Sequence, residues 1–408
     1  MNRVVVTGFG GVSSIGNDWN TIEASLQAKK TGIQLMSEWQ TVDGLNTALG
    51  GPVEGFKRPA HYSRKQVRAM GRVAMMSTVA TEDALKDAGL LDDPAIKDGR
   101  TGISYGSSGG SVAPISAFAK LSDHQDMSGI TSTTYIQMMN HTCAVNIAIF
   151  FGLKGRVIPT SSACTSGSQG IGYAYEAIKS GHQQIMIAGG AEEISVNGAA
   201  IFDTLYATSV KNDTPELTPR PFDKDRDGLV IGEGAGTLIL EELEHAKARG
   251  AKIYAEVVGY GTNCDGNHVT QPTSDTMKVA MQLALNDANL PPTVIGYVSA
   301  HGTATDRGDV AESRATNHVF DDHVPISSMK SYLGHTLGAC GAIEAWWAIE
   351  MMNRDTFYPT ANLDNVDPDC ADLDYIQAAP RSINTEYIMS NNFAFGGINT
   401  SLIFKRWP

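Results

Sequence analysis

Short apolar runs alternate with amphipathic stretches along nearly the whole chain, and this alternation is the strongest constraint on its fold. "RVVVTGF" (3–9), "TGISYGS" (101–107), "QQIMIAGGAEE" (183–193) and "GTLILEE" (236–242) have the length and apolar continuity of buried strands. "NTIEASLQA" (20–28), "RAMGRVAMMSTVATEDALKDAG" (68–89) and "IGYAYEAIKSG" (171–181) read as helices. After "EELEHAKARG" the chain restarts with "AKIYAEVVGYG" (251–261). A helix (275–290), a strand (295–303), a further helix (338–352) and two late strands (387–393 and 400–406) follow. Strands alternating with helices predict an α/β fold with buried strands. "RVVVTGFG" and "AEVVGYG" could open two similar halves, 1–250 and 251–408. No proline- or serine-rich linker separates them, so the halves are expected to pack as one body.

Composition removes several function classes. No run of about 20 apolar residues exists, so no membrane span is expected. The net charge of -13 argues against a nucleic-acid protein. "MNRVVVTGFG" lacks the apolar region and cleavage site of a secretory signal. The five cysteines (143, 164, 264, 340 and 370) are scattered, odd in number and without a CxxC pair. They suit a reducing cytoplasm and argue against a disulfide framework or a zinc site. Against the acidic background, residues 57–72 carry six Lys and Arg residues and no acid. Arg64, Arg68 and Arg72 fall four apart, so on one helix they form a stripe with Lys65 beside it. That stripe is either a solvated face or a docking patch for an acidic partner.

Two motifs are set aside. "GFGGVS" (8–13) lacks the last glycine of a dinucleotide fingerprint. "DKDRDG" (223–228) starts like a calcium loop, but the twelfth position is Gly234, not an acid.

The chemistry-bearing segment is "VIPTSSACTSGSQG" (157–170). Cys164 falls where a strand passes to a helix, among residues small enough to admit a substrate. The positive end of the helix dipole favours its thiolate; the alternative is a packed, inert cysteine. His301 follows a strand directly, where α/β sites open. Lys330, His335 and Glu344 share one glycine-rich segment, and Gly396-Gly397 lets backbone amides turn towards a ligand. Taken singly, these could be packing histidines, an ion pair and, with Phe393 and Phe395, plain core.

Taken together, "SSACTSG", "AHGTATDRGD", "MKSYLGHTLGACG" and "NNFAFGGIN" resemble the β-ketoacyl-acyl carrier protein synthases over almost the whole chain. The resemblance implies a thiolase-like fold, two similar βα halves in five layers αβαβα. It implies Cys164, His301 and His335 as the catalytic set, with Lys330 and Glu344 in support and no metal or redox cofactor. Cys164 would keep an acyl chain as a thioester, and the amides of Cys164 and Phe395 would hold its oxyanion. The histidines would stabilise the enolate that forms as malonyl-carrier loses carbon dioxide. By the same resemblance Phe393 and Phe395 belong to the gating loop, and Thr303 and Thr305 bond a pantetheine arm. Met139 and Phe202 line the acyl pocket. Lys65 and Arg68, with Arg64 and Arg72 beside them, dock an acidic acyl carrier protein. A homodimer is implied, or a heterodimer with a second synthase subunit. Ala394, Ile398 and Asp306-Arg307 depart from the usual wording and bear on acyl specificity, which extends to fatty acid or aryl polyene chains. A thiolase using Cys340 as base, an initiating synthase using Asn391 or Asn392, and a non-catalytic partner subunit are the rival readings.

Overall fold

The computed structural model describes all 408 residues. Strands β1 (Val4–Ser13), β2 (Thr101–Gly106), β3 (Val157–Pro159), β4 (Ile185–Glu192) and β5 (Gly234–Glu242) make one half. Strands β6 (Ala255–Cys264), β7 (Ile295–Ser299), β8 (Pro325–Ser327), β9 (Tyr387–Ala394) and β10 (Ile398–Arg406) make the other. From the junction outward the first runs β1-β5-β4-β2-β3 and the second β6-β10-β9-β7-β8, with a short strand, Asp374–Tyr375, at the far edge. Each half has two antiparallel contacts and then two parallel ones. β1 and β6 pair over Val4–Val6 and Ala255–Val257, joining the halves into eleven continuous strands.

That junction is where the sequence echo lies. "GFG" of β1 and "GYG" of β6 occupy matching places against their helices, α2 (Arg72–Asp87) and α4 (Ser274–Ala288) in a numbering where α1 is Arg64–Val67 and α3 is Ser166–Lys179. A Cβ at Gly10 would lie 2.0 Å from the Ala80 carbonyl oxygen, and one at Gly261 would lie 2.1 Å from that of Ala280. Only glycine lets helix and strand approach so closely.

Alternating strand residues build three cores. Leu238 and Leu240 of β5 and Leu402 and Phe404 of β10 face α3 and α6 (Cys340–Asn353). Ile185 and Ile187 of β4 face the other way, onto Val73 and Met76 of α2. Val298 of β7 and Ile403 of β10 pack on α4 and on Ala315 of α5 (Asp306–Phe320). The result is five layers, αβαβα, with α3 and α6 in the middle. α6 is buried around its whole circumference from Cys340 to Met352, as a helix between two sheets must be. No helix is long and apolar enough to cross a membrane.

The helix expected over 68–89 is present as α2, but the basic stripe does not lie on it alone, because Arg64 and Lys65 belong to a separate short helix, α1. Ser63 and Gln66 form a capping box that starts α1, which ends at Val67. The chain then turns inward, burying Val67 and Met70 beside Tyr62, and α2 starts after Gly71, where a Cβ would lie 2.0 Å from Ser111 Oγ. Arg72 therefore leaves the stripe. It grips the buried Glu233 carboxylate with Nε at 2.8 Å and Nη2 at 2.6 Å, and donates to the Val53 carbonyl. Arg72→Ala is expected to cost about 2 kcal/mol of stability, less than the roughly 3–5 for a fully buried pair because Arg72 is partly exposed. Denaturant unfolding at neutral pH tests this, and an unchanged midpoint would refute it. Arg64, Lys65 and Arg68 remain exposed and free of ion pairs.

The aspartate-rich loop is a closed turn. Asp223 accepts from the amides of Asp225, Asp364 and Asn365 at 2.8–2.9 Å. "GFGGVS" lies wholly inside β1.

Candidate active site

The small residues around Cys164 hold an unusual turn. β3 ends at Pro159, Ala163 takes a left-handed φ of 50°, and a short turn at Ala163–Thr165 leads into α3. Ser166 Oγ donates to the Ala163 carbonyl (2.7 Å) and accepts from the Ser162 amide (3.0 Å). Thr165 Oγ1 donates to the Ser162 carbonyl and Thr160 Oγ1 to that of Ser166. A left-handed alanine is costly, and these local bonds offset the strain. They fix Cys164 at the start of α3.

Cys164 Sγ lies 3.0 Å from His335 Nε2. The His301 ring stands nearly perpendicular to that of His335, centroids 5.1 Å apart. Burial pushes the Cys164 thiol up to about 12, against the pull of the Lys330 charge and of the Phe395 and Cys164 amides. Desolvation thus outweighs the helix dipole, and the resting group is a thiol, not the thiolate expected from the sequence. Burial and the Lys330 charge hold both histidines well below their ordinary value, with His335 adding to the effect on His301. Both rings are neutral near pH 7. In the Nδ1–H tautomer of His335 the thiol donates to Nε2. His335 Nδ1 is buried without a partner, so nothing commits the ring to one tautomer. Its Nε2 can accept a proton in one step and present N–H in another.

Lys330 and Glu344 form a buried pair, Nζ to Oε1 2.5 Å. Burial works against the Lys330 charge, but Glu344 and the other groups around it, Glu312 among them, together outweigh it, and the ammonium is held above its ordinary value. The second Glu344 oxygen accepts from Asn392 Nδ2 at 2.8 Å, and the same amide lies 3.4 Å from His301 Nδ1. With Nδ1 the acceptor, His301 carries its proton on Nε2. Asn392 is thus an orienting residue that sequence reading had placed only in a rival mechanism. The His301 and Gly302 amides donate to Glu312, and those of Thr303 and Ala304 to Asp309, which fixes the loop after β7.

Cys164 and one nitrogen of each histidine lie within 4.8 Å of one another, a donor set that also suits zinc. The Lys330 ammonium, whose field adds to burial in keeping both rings unprotonated, opposes a cation there as well. Cys340 does not fill a second-cysteine role. Its thiol donates to the Cys164 carbonyl at 3.2 Å, and burial holds it well above its ordinary value.

These groups sit on a cavity of about 530 Å³ whose lining includes Phe202, Phe393, Phe395, Thr303 and Thr305. Thr303 and Thr305 hydroxyls meet at 2.9 Å. Phe395 tilts against Phe202, centroids 5.3 Å apart, and Phe393 stands edge-on to His301. Gly396 and Gly397 both take left-handed φ, 87° and 73°, which turns the chain back into β10. Met139 does not line the cavity. It caps the short helix Thr134–Met138, where its carbonyl accepts from the Thr142 amide.

The β-ketoacyl synthase N-terminal domain model matches residues 1–246, and the C-terminal domain model matches residues 254–364. The chain is 38% identical over 410 residues to 3-oxoacyl-(acyl-carrier-protein) synthase 1 of Haemophilus influenzae, covering 100% of each. It is similar to a crystal structure of a β-ketoacyl synthase from Burkholderia phymatum STM815, with TM-score 0.99, 60% identity and 100% of each chain covered. A type II PKS ketosynthase, solved in complex with its acyl-carrier protein and bound to the hexaketide, is 30% identical with TM-score 0.88, again over 100% of each chain.

Proposed function

The chain belongs to the β-ketoacyl synthase family, a carbon-carbon bond-forming acyltransferase, and we propose that it joins an acyl group held on Cys164 to a malonyl group on an acyl carrier protein. The observation that carries this reading is Cys164 Sγ at 3.0 Å from His335 Nε2, with His301 facing the same cavity.

In the first half, His335 Nε2 takes the thiol proton as Cys164 attacks a carrier thioester. The Cys164 and Phe395 amides, which already act on the sulfur, hold the tetrahedral oxyanion. The proton passes to the departing carrier thiolate, and the acyl chain stays on Cys164. In the second half, malonyl-carrier loses carbon dioxide. Charge develops on its thioester oxygen; His301 donates an Nε2–H bond to it, and His335 does the same once its proton has exchanged through solvent to the Nε2–H tautomer. The carbanion then attacks the acyl-Cys164 carbonyl, the sulfur leaves as thiolate and takes a proton from solvent, and a 3-oxoacyl-carrier results. Neutral histidines suit this role, because the enolate needs donors rather than a proton. Burial keeps them neutral, and Lys330, fixed by Glu344, adds to it.

The acyl group is a fatty chain or a conjugated aryl polyene. Phe202, Tyr206, Phe393 and Phe395 on the cavity wall offer faces for a flat chain, and this supports the polyene. Two copies pair through edge strand β3, which leaves Val157 exposed beside Ile149, itself 75% exposed. Lys65 and Arg68, exposed and unpaired on an acidic protein, receive the carrier. Lys65→Glu with Arg68→Glu is expected to raise KM for carrier thioesters about tenfold at low salt and to spare small acyl thioesters. Equal loss with both would assign the patch to folding.

Intact-protein mass after mixing with saturated, unsaturated and aryl-polyenoyl carriers tests the reading. A Cys164 adduct with saturated chains places the protein in fatty acid elongation. An adduct with conjugated chains alone places it in aryl polyene synthesis. No adduct would make it a non-catalytic partner of a heterodimer.

A further inference from the structure

The cavity carries one charge that nothing in the chain answers. Five carboxylates lie on its lining; four accept hydrogen bonds, and the fifth, Asp306, is almost fully exposed with only Arg226 near it. Glu312 and Asp309 accept backbone amides. Asp227 accepts from Ser209 and the Val210 amide, and Asp265 from Asn399. Asp306 lies 3.7 Å from Arg226. Arg226 is buried and fully committed, to Asp367, Asp309 and the carbonyls of Asp223 and Thr305. Arg307 is different. It lines the same cavity, is exposed, and makes no ion pair or side-chain hydrogen bond. It also sits in the first turn of α5, where a cation gains nothing from the helix dipole.

An unexplained apolar feature shares this mouth. Tyr206 lines the cavity yet is 90% exposed, and it holds a left-handed φ of 53°. That backbone is strained for a bulky residue. Val269, 69% exposed, and Leu205 are on the same lining. The lining therefore includes an unpaired guanidinium, bare apolar and aromatic surface and the Thr303–Thr305 hydroxyl pair.

We propose that this mouth is a phosphate-recognition site, in which Arg307 pairs with the phosphodiester joining a pantetheine arm to its carrier while Tyr206, Leu205 and Val269 cover the arm's geminal methyl groups. The inference rests on the reading that the substrate of Cys164 is a carrier thioester. An arm whose thioester end reaches Cys164 and whose amides pass Thr303 and Thr305 leaves by the cavity mouth, and its outer end has both chemistries: two methyls and an anion. A guanidinium binds such an anion with two parallel hydrogen bonds.

The test compares thioesters with one common acyl group on pantetheine, on pantetheine 4′-phosphate and on coenzyme A. The wild type is expected to show kcat/KM about tenfold higher with the phosphopantetheine thioester than with the pantetheine thioester. In Arg307→Ala this ratio falls to about one, and Arg307→Lys keeps part of it. A folding defect would lower both rates and leave the ratio intact, which would overturn the proposal, as would a wild-type ratio near one. A large further gain with coenzyme A would give the site to a nucleotide-bearing thioester instead of a carrier and overturn that part. Calorimetric titration with pantetheine and its 4′-phosphate reads the same discrimination without chemistry. Discrimination without acylation of Cys164 would sink the condensation reading and leave the phosphate site. Normal acylation without discrimination would do the reverse.

Discussion

Cys164→Ala is expected to leave the protein unable to take up an acyl group, with condensation falling at least about 10⁴-fold, as when any sole nucleophile is removed. Nothing nearby can replace it. Cys340 is the nearest other thiol along these elements, but it donates into the Cys164 carbonyl and is not on the cavity lining. Intact mass after incubation with an acyl carrier thioester should show only the unmodified chain, and a stoichiometric adduct would overturn the assignment. Cys164→Gln separates the two halves of the reaction. Its side-chain carbonyl lies where the acyl-cysteine carbonyl would be, within reach of the same two amides, while His301 and His335 keep their places. This variant is expected to release carbon dioxide from malonyl-carrier without forming a longer chain. Silence in that assay would remove the histidines from the enolate step. Neither variant should unfold, because a buried sulfur contributes on the order of 1 kcal/mol.

The candidate site was legible because its signals are local. A cysteine among small hydroxyl residues at a strand-to-helix passage and a histidine straight after a strand both reflect short-range geometry. The echo of "GFG" in "GYG" was legible for the same reason, since each glycine answers one helix carbonyl. What sequence missed depends on distant partners. The break before Gly71 is imposed by Ser111, forty residues on. Arg72 reads as part of a surface stripe until Glu233 arrives from the neighbouring β5 region. The thiol state of Cys164 follows from burial in the assembled fold, which overrides the helix dipole that sequence does show. Arg307 could be noticed as a departure in wording, but its lack of a partner emerges only in the assembled fold.

Lys330→Met is expected to slow condensation by about 10²–10³-fold, the scale of losing a preorganised charge in a closed site, and to change how the protein responds to pH in two opposite places. Lys330 lowers the affinity of His301 and His335 for protons. Without its charge both values rise, the rings begin to protonate at higher pH, and the acid limb of the rate profile shifts upward. The second change concerns Glu344. Burial pushes its carboxyl up and Lys330 pulls it back. In the variant only the push remains. A carboxyl whose folded-state value lies above the unfolded one stabilises nothing once ionised, so stability is highest below the ordinary carboxylate range and declines as pH rises through the folded value. Around neutral pH the unpaired carboxyl costs about 3 kcal/mol, or somewhat less if it takes up a proton. Adding Glu344→Gln removes the buried charge and keeps an acceptor for Asn392. The double variant should regain most of the stability and lose its alkaline decline, yet keep the shifted acid limb and the slow rate. Rate profiles and denaturant midpoints between pH 5 and 9 separate the two roles. An unshifted acid limb in Lys330→Met would mean that burial alone keeps the histidines neutral, leaving Lys330 only as the partner that allows Glu344 to be buried.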